Sequence, residues 1–96
     1  MPHYIALIHK DRDSGYGVSF PDLPGVVTAG NTIDEAMKEA AEALAFASED
    51  WADHTGQPFP QPRSIDELRA DPAFRNDAAD AVVAAVPFGA KAEAAE

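Results

Sequence analysis

Residues 15–30 read GYGVSFPDLPGVVTAG, two short strand-like runs joined by a corner that contains two prolines. In the first run, large side chains at Tyr16, Val18 and Phe20 alternate with small ones at Gly17 and Ser19. This period of two is typical of a β-strand with one large apolar face. We therefore predict a strand over residues 16–20 in which Gly17 and Phe20 lie on opposite faces.

The corner carries its own backbone signals. Pro21 and Pro24 each fix φ near the value of an extended or turn residue and remove an N–H donor, so the first strand must end at Phe20. Gly25 can adopt a positive φ at no steric cost, and we predict that it does so here. The next strand is then expected over residues 26–29, which makes the stretch a β-loop-β unit with a rigid corner.

The sequence on either side extends this unit. Residues 3–9 form an apolar run before a turn-rich segment, so they are expected to pair with residues 16–20 as a hairpin. After the corner, Thr32 and Glu35 have the spacing of a capping box that opens a helix. An apolar stripe at helical spacing continues that helix to about residue 54 and contains Ile33, Ala36, Met37, Ala40, Leu44, Ala47 and Trp51.

The carboxyl-terminal third predicts a short helix and a last strand. Residues 57–62 form a proline-spaced connector, and Ser64 with Glu67 makes a second capping box whose helix is expected to end by Pro72. Residues 81–86 read AVVAAV, a run short enough to be a buried strand. Because long crossovers usually return parallel in the same sheet, we place this strand beside the first and parallel to it.

The predicted fold class is therefore α+β, with the order β-β-β-α-(α)-β. Three antiparallel strands and a fourth, parallel strand form the sheet, and one long helix packs on one face. Residues 1–88 make a single domain, and residues 89–96 are an alanine-rich tail. A core of this size is only modestly stabilising, so a homo-oligomer, either a dimer or a tetramer, is expected.

Composition restricts the classes of function. The chain of 96 residues has no cysteine, no run long enough to span a membrane and no amino-terminal leader pattern, which favours a cytoplasmic protein without membrane contact. The net charge of −10 repels a phosphate backbone, so direct nucleic-acid binding is not expected. The acidic residues serve either solubility alone or an acidic surface matched to a basic protein partner.

Candidate catalytic and metal-binding patterns are missing from the sequence. His3, His9 and His54 do not have the spacing of a zinc motif, and no serine lies in a nucleophile elbow. Gly15 and Gly17 belong to a hairpin, and no helix follows them to bind a phosphate. We predict no catalytic residue, no metal and no cofactor.

The corner and the helix start together carry a family resemblance. The sequence FPDLPG followed by VTAGNTIDEA resembles the amino-terminal domain of HicB-like antitoxins, and the resemblance extends from Tyr4 to residues 81–86. It implies a partial ribonuclease-H-like fold and a role in neutralising a small partner ribonuclease, an mRNA interferase of the HicA type. Active enzymes of that superfamily hold two metals with carboxylates, one of them in the first strand. Neither the first nor the last strand here contains an acid, so the resemblance implies a non-catalytic antitoxin.

Many members of the family continue into a DNA-binding segment. In this sequence only the alanine-rich tail follows residue 86, so operator binding by this chain is not expected. A second interpretation is an orphan HicB-like domain without a toxin, whose main property is regulation or oligomerisation. A neighbouring gene for a small basic protein with a histidine would favour the antitoxin.

One position on the long helix is a candidate partner contact. At about 100° per residue, Phe46 lies opposite the apolar stripe. It falls among carboxylates, namely Glu39, Glu42, Glu49, Asp50 and Asp53. An aromatic side chain ringed by acids is typical of a hot spot for a basic partner. The alternatives are that Phe59, the short helix or a second subunit covers Phe46.

The corner is a second candidate. Its prolines and Gly25 are explained by backbone geometry alone, which is one interpretation. In the other, Asp22 and Leu23 form a binding loop, because an exposed leucine on a rigid corner is a preorganised contact.

Overall fold

The computed structural model of the chain describes residues 3–10 and 15–88. The turn of the first hairpin and the predicted alanine-rich tail lie outside the described residues. The elements are, in order, β1 (His3–Lys10), β2 (Tyr16–Ser19), β3 (Val27–Gly30), α1 (Ile33–Thr55), α2 (Ile65–Arg69), α3 (Pro72–Ala78) and β4 (Val82–Pro87). The α+β class, the hairpin, the long helix and the short helix after Ser64 are confirmed.

The proline corner consists of two consecutive turns. The Leu23 N–H donates to the Phe20 carbonyl at 3.0 Å, and the Val26 N–H donates to the Leu23 carbonyl at 3.1 Å. Pro21 and Pro24 occupy the second position of these two turns, where their fixed φ is favourable. Gly25 has a φ of 89°, as predicted. A positive φ in the third position is what a type II turn requires.

A close contact between β3 and α1 fixes the start of the helix. The Thr32 hydroxyl accepts a hydrogen bond from the Glu35 N–H at 3.0 Å. The Glu35 carboxylate accepts from the Asn31 N–H at 2.7 Å, one residue earlier than in a regular capping box. A Cβ on Gly30 would lie 2.5 Å from the Ala36 nitrogen, so any side chain there would force β3 and α1 apart.

Strand β1 contributes side chains to two hydrophobic cores, one on each face of the sheet, because helices cover both faces. The sheet order is β3-β2-β1-β4. Helix α1 covers one face, where the core includes Tyr4, Ala6, Ile8, Val18, Phe20, Leu23, Leu44 and Val86. On the other face Leu7 packs with Leu68 of α2 and Phe74 of α3. A strand that is buried on both faces reads as a continuous apolar run, as residues 4–8 do.

The prediction that β4 is parallel to β1 is wrong. All three strand pairs are antiparallel, and β4 pairs with β1 from Ile8 opposite Val82 to His3 opposite Pro87. The reason is α3, a helix that the sequence reading missed. It brings the chain to the carboxyl end of β1, where the His9 ring lies 3.0 Å from the Asp77 carbonyl. The chain therefore enters β4 from that end and runs back along β1.

The expectation that the last strand is buried is also wrong for most of its length. Strand β4 forms one edge of the sheet, and Val82 and Val83 are 50% and 43% exposed. Val86 alone in this strand is fully buried, under α1. An apolar run of this length is compatible with an edge or a central strand, and only the sheet order distinguishes them.

Candidate functional site

Phe46 lies on the outer face of α1 and is 70% exposed. Neither Phe59 nor the short helix covers it, so these two of the three alternatives are wrong. Phe59 instead contacts Trp51, with ring centroids 5.4 Å apart, and Tyr4, at 5.6 Å. Helix α2 packs against Leu7 on the opposite side of the sheet. Within the described residues, Phe46 thus remains a large apolar side chain in solvent.

An apolar groove of about 380 Å³ runs beside Phe46, between α1 and the proline corner. Its corner wall consists of residues 24–27, and Val27 is 67% exposed. Its helix wall includes Ala43, Phe46, Ala47 and Trp51. The groove therefore brings together two of the most exposed large apolar side chains of the described chain.

The sequence reading found the helix wall of this groove but not the corner wall. Val27 and Ala29 alternate with Thr28 along β3, and both are exposed, whereas Thr28 is half-buried. That alternation was visible in the sequence as VTAG. The place of Val27 in the groove wall was not visible, because it depends on β3 lying at the sheet edge next to α1.

Three carboxylates lie on the helix face that carries Phe46, and one of them lines the groove. Helix α1 has seven acidic residues and one lysine. Glu42 and Asp50 are each four residues from Phe46 and Glu49 is three, so they share its helix face. Glu42 and Glu49 are exposed and Asp50 lines the groove. Glu39 is half-buried and lines a separate recess of about 240 Å³ beside Glu35.

Helix α1 bends at the groove. Asp50 has φ −127° and ψ 20°, outside the helical range. The Asp50 carbonyl lies 3.2 Å from Nδ1 of His54, and the Asp50 carboxylate lies 3.3 Å from the same nitrogen. The bend places the last turn of α1, with His54 and Thr55, along the groove wall.

At the second candidate site, the corner, both candidate side chains are buried within the fold. The expectation of an exposed leucine is wrong, because Leu23 is fully buried in the core under α1. The Asp22 side chain is 7% exposed and is occupied by Arg63, whose backbone N–H donates to Oδ2 at 2.8 Å and whose Nε donates to Oδ1 at 2.6 Å. Neither side chain is free to contact a partner.

Arg63 joins the corner to the start of α3. Its Nη1 donates to Oδ2 of Asp71 at 3.2 Å, while Asp71 Oδ1 accepts from the Ala73 N–H at 2.9 Å. The backbone hydrogen bond from Ala73, followed by the side-chain hydrogen bond from Arg63, holds the pKa of Asp71 below its usual value. The sequence offered no signal for this clamp, since Asp22 and Arg63 are 41 residues apart.

Neither a metal-binding cluster nor a membrane-spanning helix occurs in the described part of the chain. In residues 3–10 and 15–88, no three histidine, aspartate or glutamate side chains are grouped to hold a metal ion. None of the helices there is long and apolar enough to cross a membrane.

Sequence comparison relates the chain to bacterial antitoxins. Residues 4–93 match the family model described as HicB-like antitoxin of bacterial toxin-antitoxin system. Antitoxin HicB 1 of Photorhabdus laumondii is 38% identical over 60 residues, which are 62% of this chain and 39% of that protein. An uncharacterised 14.9 kDa protein of Haemophilus phage HP1 is 36% identical over 73 residues, 76% of this chain and 53% of that protein. The chain thus spans about half or less of the length of these relatives.

Solved structures agree with this relationship. The antitoxin HicB of Burkholderia pseudomallei superposes with a TM-score of 0.70 at 35% identity, over 92% of this chain and 64% of that one. A chain of a HicA3 and HicB3 toxin-antitoxin complex superposes with a TM-score of 0.66 at 28% identity, over 90% of this chain and 96% of that one. The chain therefore belongs to the HicB-like antitoxin family of bacterial toxin-antitoxin systems.

Proposed function

We propose that this chain is a non-catalytic antitoxin domain that binds and inhibits a small basic ribonuclease toxin of the HicA type. Family membership supports the antitoxin role. The similarity to a chain of a HicA3 and HicB3 complex supports a toxin as the partner. The toxin's positive charge follows from complementarity with a chain of net charge −10.

The observation that carries the proposal is the exposure of Phe46 beside an apolar groove, on a helix face that it shares with Glu42, Glu49 and Asp50. A monomeric protein gains nothing in stability from an aromatic ring that is 70% exposed. The same ring, buried against a partner, is a strong anchor, because aromatic residues dominate binding energy at interface centres. Glu42, Glu49 and Asp50 around it select a cationic partner.

The acidic face also suggests how inhibition works. A ribonuclease holds the RNA backbone with cationic side chains, and carboxylates on α1 would occupy the positions where phosphates otherwise bind. Opposite charge also accelerates encounter, an effect that falls with ionic strength. Phe46 then slows dissociation by excluding water from the contact.

The proposal is tested with the purified chain and a purified HicA-type toxin from the same genome, by measuring binding rates and protection of RNA from cleavage. Phe46→Ala should weaken binding by about 2 kcal/mol, which appears as roughly 30-fold faster dissociation. Glu42→Lys should mainly slow association and reduce its dependence on salt.

The matched control is Asp66→Lys, which makes the same change of charge on α2, on the opposite side of the sheet. It should slow association less than Glu42→Lys does and leave dissociation unchanged. Wild-type rates in both α1 variants would move the toxin site to another surface, whereas a chain that neither binds nor inhibits the toxin would overturn the function. In the same assays the chain alone should leave RNA and RNA-DNA hybrids intact, with or without Mg²⁺.

A further inference from the structure

We propose that the groove between α1 and the proline corner takes a single arginine side chain of the toxin, and that Asp50 is the group that binds its guanidinium. The inference rests on the proposed function and gives Asp50 a direct contact, distinct from the long-range attraction of the other acids on α1. The groove has a volume of about 380 Å³. Pockets for small molecules span about 300 to 1,000 Å³, so this groove suits one long side chain rather than a whole helix of the toxin.

The two walls of the groove are set before anything binds. Two consecutive turns fix the corner wall, through hydrogen bonds of 3.0 Å to the Phe20 carbonyl and 3.1 Å to the Leu23 carbonyl. On the other side, the close approach of Gly30 to Ala36 holds α1 against β3. A site with fixed walls loses little conformational entropy when it is occupied, so most of the contact energy is available for binding.

The lining of the groove contains one carboxylate. Among the described residues that line it, Asp50 and His54 alone have ionisable side chains, whereas Glu42 and Glu49 share the helix face but do not line the groove. The Asp50 side chain is 41% exposed. His54 offers it at most one N–H, at Nδ1, which also lies 3.2 Å from the Asp50 carbonyl. A carboxylate can accept about four hydrogen bonds, so most of its capacity remains for a partner.

This lining disfavours other occupants. A wholly apolar side chain would cover Asp50 without pairing it, and a carboxylate that loses water without gaining a partner is costly. An acidic side chain would be repelled by Asp50 and by the net charge of −10. A lysine ammonium is strongly hydrated, whereas a guanidinium is more weakly hydrated and can donate two parallel N–H groups to one carboxylate.

Two aromatic residues beside Asp50 favour arginine further. Phe46 lies one helical turn before Asp50 and Trp51 directly follows it, and all three line the groove. The Trp51 ring is held by Phe59, with ring centroids 5.4 Å apart. Guanidinium groups pack well on aromatic rings, and the methylene stem of arginine packs on apolar surface. An arginine along the groove therefore buries its stem between the two walls while its tip reaches the carboxylate.

The test measures how fast a purified HicA-type toxin from the same genome dissociates from variants of the full chain. Asp50→Asn keeps the shape but removes the charge, and should speed dissociation about ten-fold or more. Asp53→Asn is the matched control, because it removes the same charge from an exposed position of α1 outside the groove, and should leave dissociation unchanged. Ala47→Phe fills the groove without changing any charge and should also speed dissociation. Ala52→Phe, at an exposed alanine of α1 outside the groove, should not.

Chemical modification of the toxin identifies the side chain in the groove. One toxin arginine should be protected from an arginine-selective dicarbonyl reagent in the wild-type complex, and should become reactive in the Asp50→Asn complex at saturating concentration. Replacing that arginine with methionine should weaken binding to the wild-type chain but hardly change binding to the Asp50→Asn chain, since the two groups act as a pair.

The possible outcomes separate the arginine site from the proposed function. A wild-type chain that does not bind the toxin would overturn both. Binding that neither Asp50→Asn nor Ala47→Phe weakens would overturn the arginine site alone, as would a wild-type complex in which every toxin arginine stays reactive. Tighter binding by Asp50→Asn would identify an apolar occupant and would likewise overturn the arginine site.

Discussion

Replacing Asp22 with asparagine tests whether the proline corner is a structural clamp. The Asp22 carboxylate accepts two hydrogen bonds from Arg63, one from the backbone N–H at 2.8 Å and one from Nε at 2.6 Å. Asparagine has the same shape but only one acceptor oxygen. Its amide would direct an N–H group at one of the two Arg63 donors, so one charge-assisted bond is lost.

The magnitude follows from the burial of the two partners. The Asp22 side chain is 7% exposed, so water cannot replace the lost bond there. The Arg63 side chain is 39% exposed and can be partly resolvated, which lowers the cost. Hydrogen bonds to charged groups contribute about 1.5 to 3 kcal/mol, and we take about 2 kcal/mol for Asp22→Asn. In a domain of this size that loss lowers the melting temperature by about 10 °C.

The assay is urea unfolding followed by the fluorescence of Trp51, the single tryptophan, whose ring packs 5.4 Å from Phe59. Asp66→Asn, which removes one exposed carboxylate from α2, is the control and should change stability by less than about 0.5 kcal/mol. Equal stability of Asp22→Asn and Asp66→Asn would refute the clamp. If Asp22→Asn instead weakened toxin binding without loss of stability, the corner would be a binding loop after all.

Two further stability measurements check the turn and the start of α3. Gly25→Val should cost about 1 kcal/mol or more in urea unfolding, because the φ of 89° strains a β-branched residue although no atom blocks its Cβ. Gly17→Ala, at a glycine with equal space and no positive φ, should be neutral, and equal effects of the two changes would contradict the turn assignment. The lowered pKa of Asp71 means that its carboxylate stabilises the fold above its ordinary pKa of 3.8, and that this contribution disappears as the pH falls through the lower folded value. Asp71→Asn keeps the cap acceptor. The stability difference from wild type should therefore be full at neutral pH and vanish in acid, and a difference independent of pH would contradict the role of the charge.

Some features of the candidate site could be predicted from the sequence, and others depend on contacts between distant residues. The exposure of Phe46 among carboxylates was predictable, because both follow from the 3.6-residue period of a single helix. The groove beside it was not, since its second wall comes from Val27, which lies 19 positions earlier. The contact between Asp22 and Arg63 was not predictable for the same reason. Its partner Arg63 belongs to a segment whose position depends on how the connector folds back.

Local chemistry in the sequence determined the elements: prolines and Gly25 made the corner, Thr32 and Ser64 opened helices, a continuous apolar run marked β1, and alternation marked β2. These signals act over a few residues, so each is complete within a short segment. The tertiary structure alone decided the direction and exposure of β4. A strand next to β1 can run either way with the same side chains, and its direction depends on the end of the sheet from which the chain arrives. Helix α3 carries it to the carboxyl end of β1, because Leu68 and Phe74 bury their side chains against Leu7 on the sheet face that α1 leaves open.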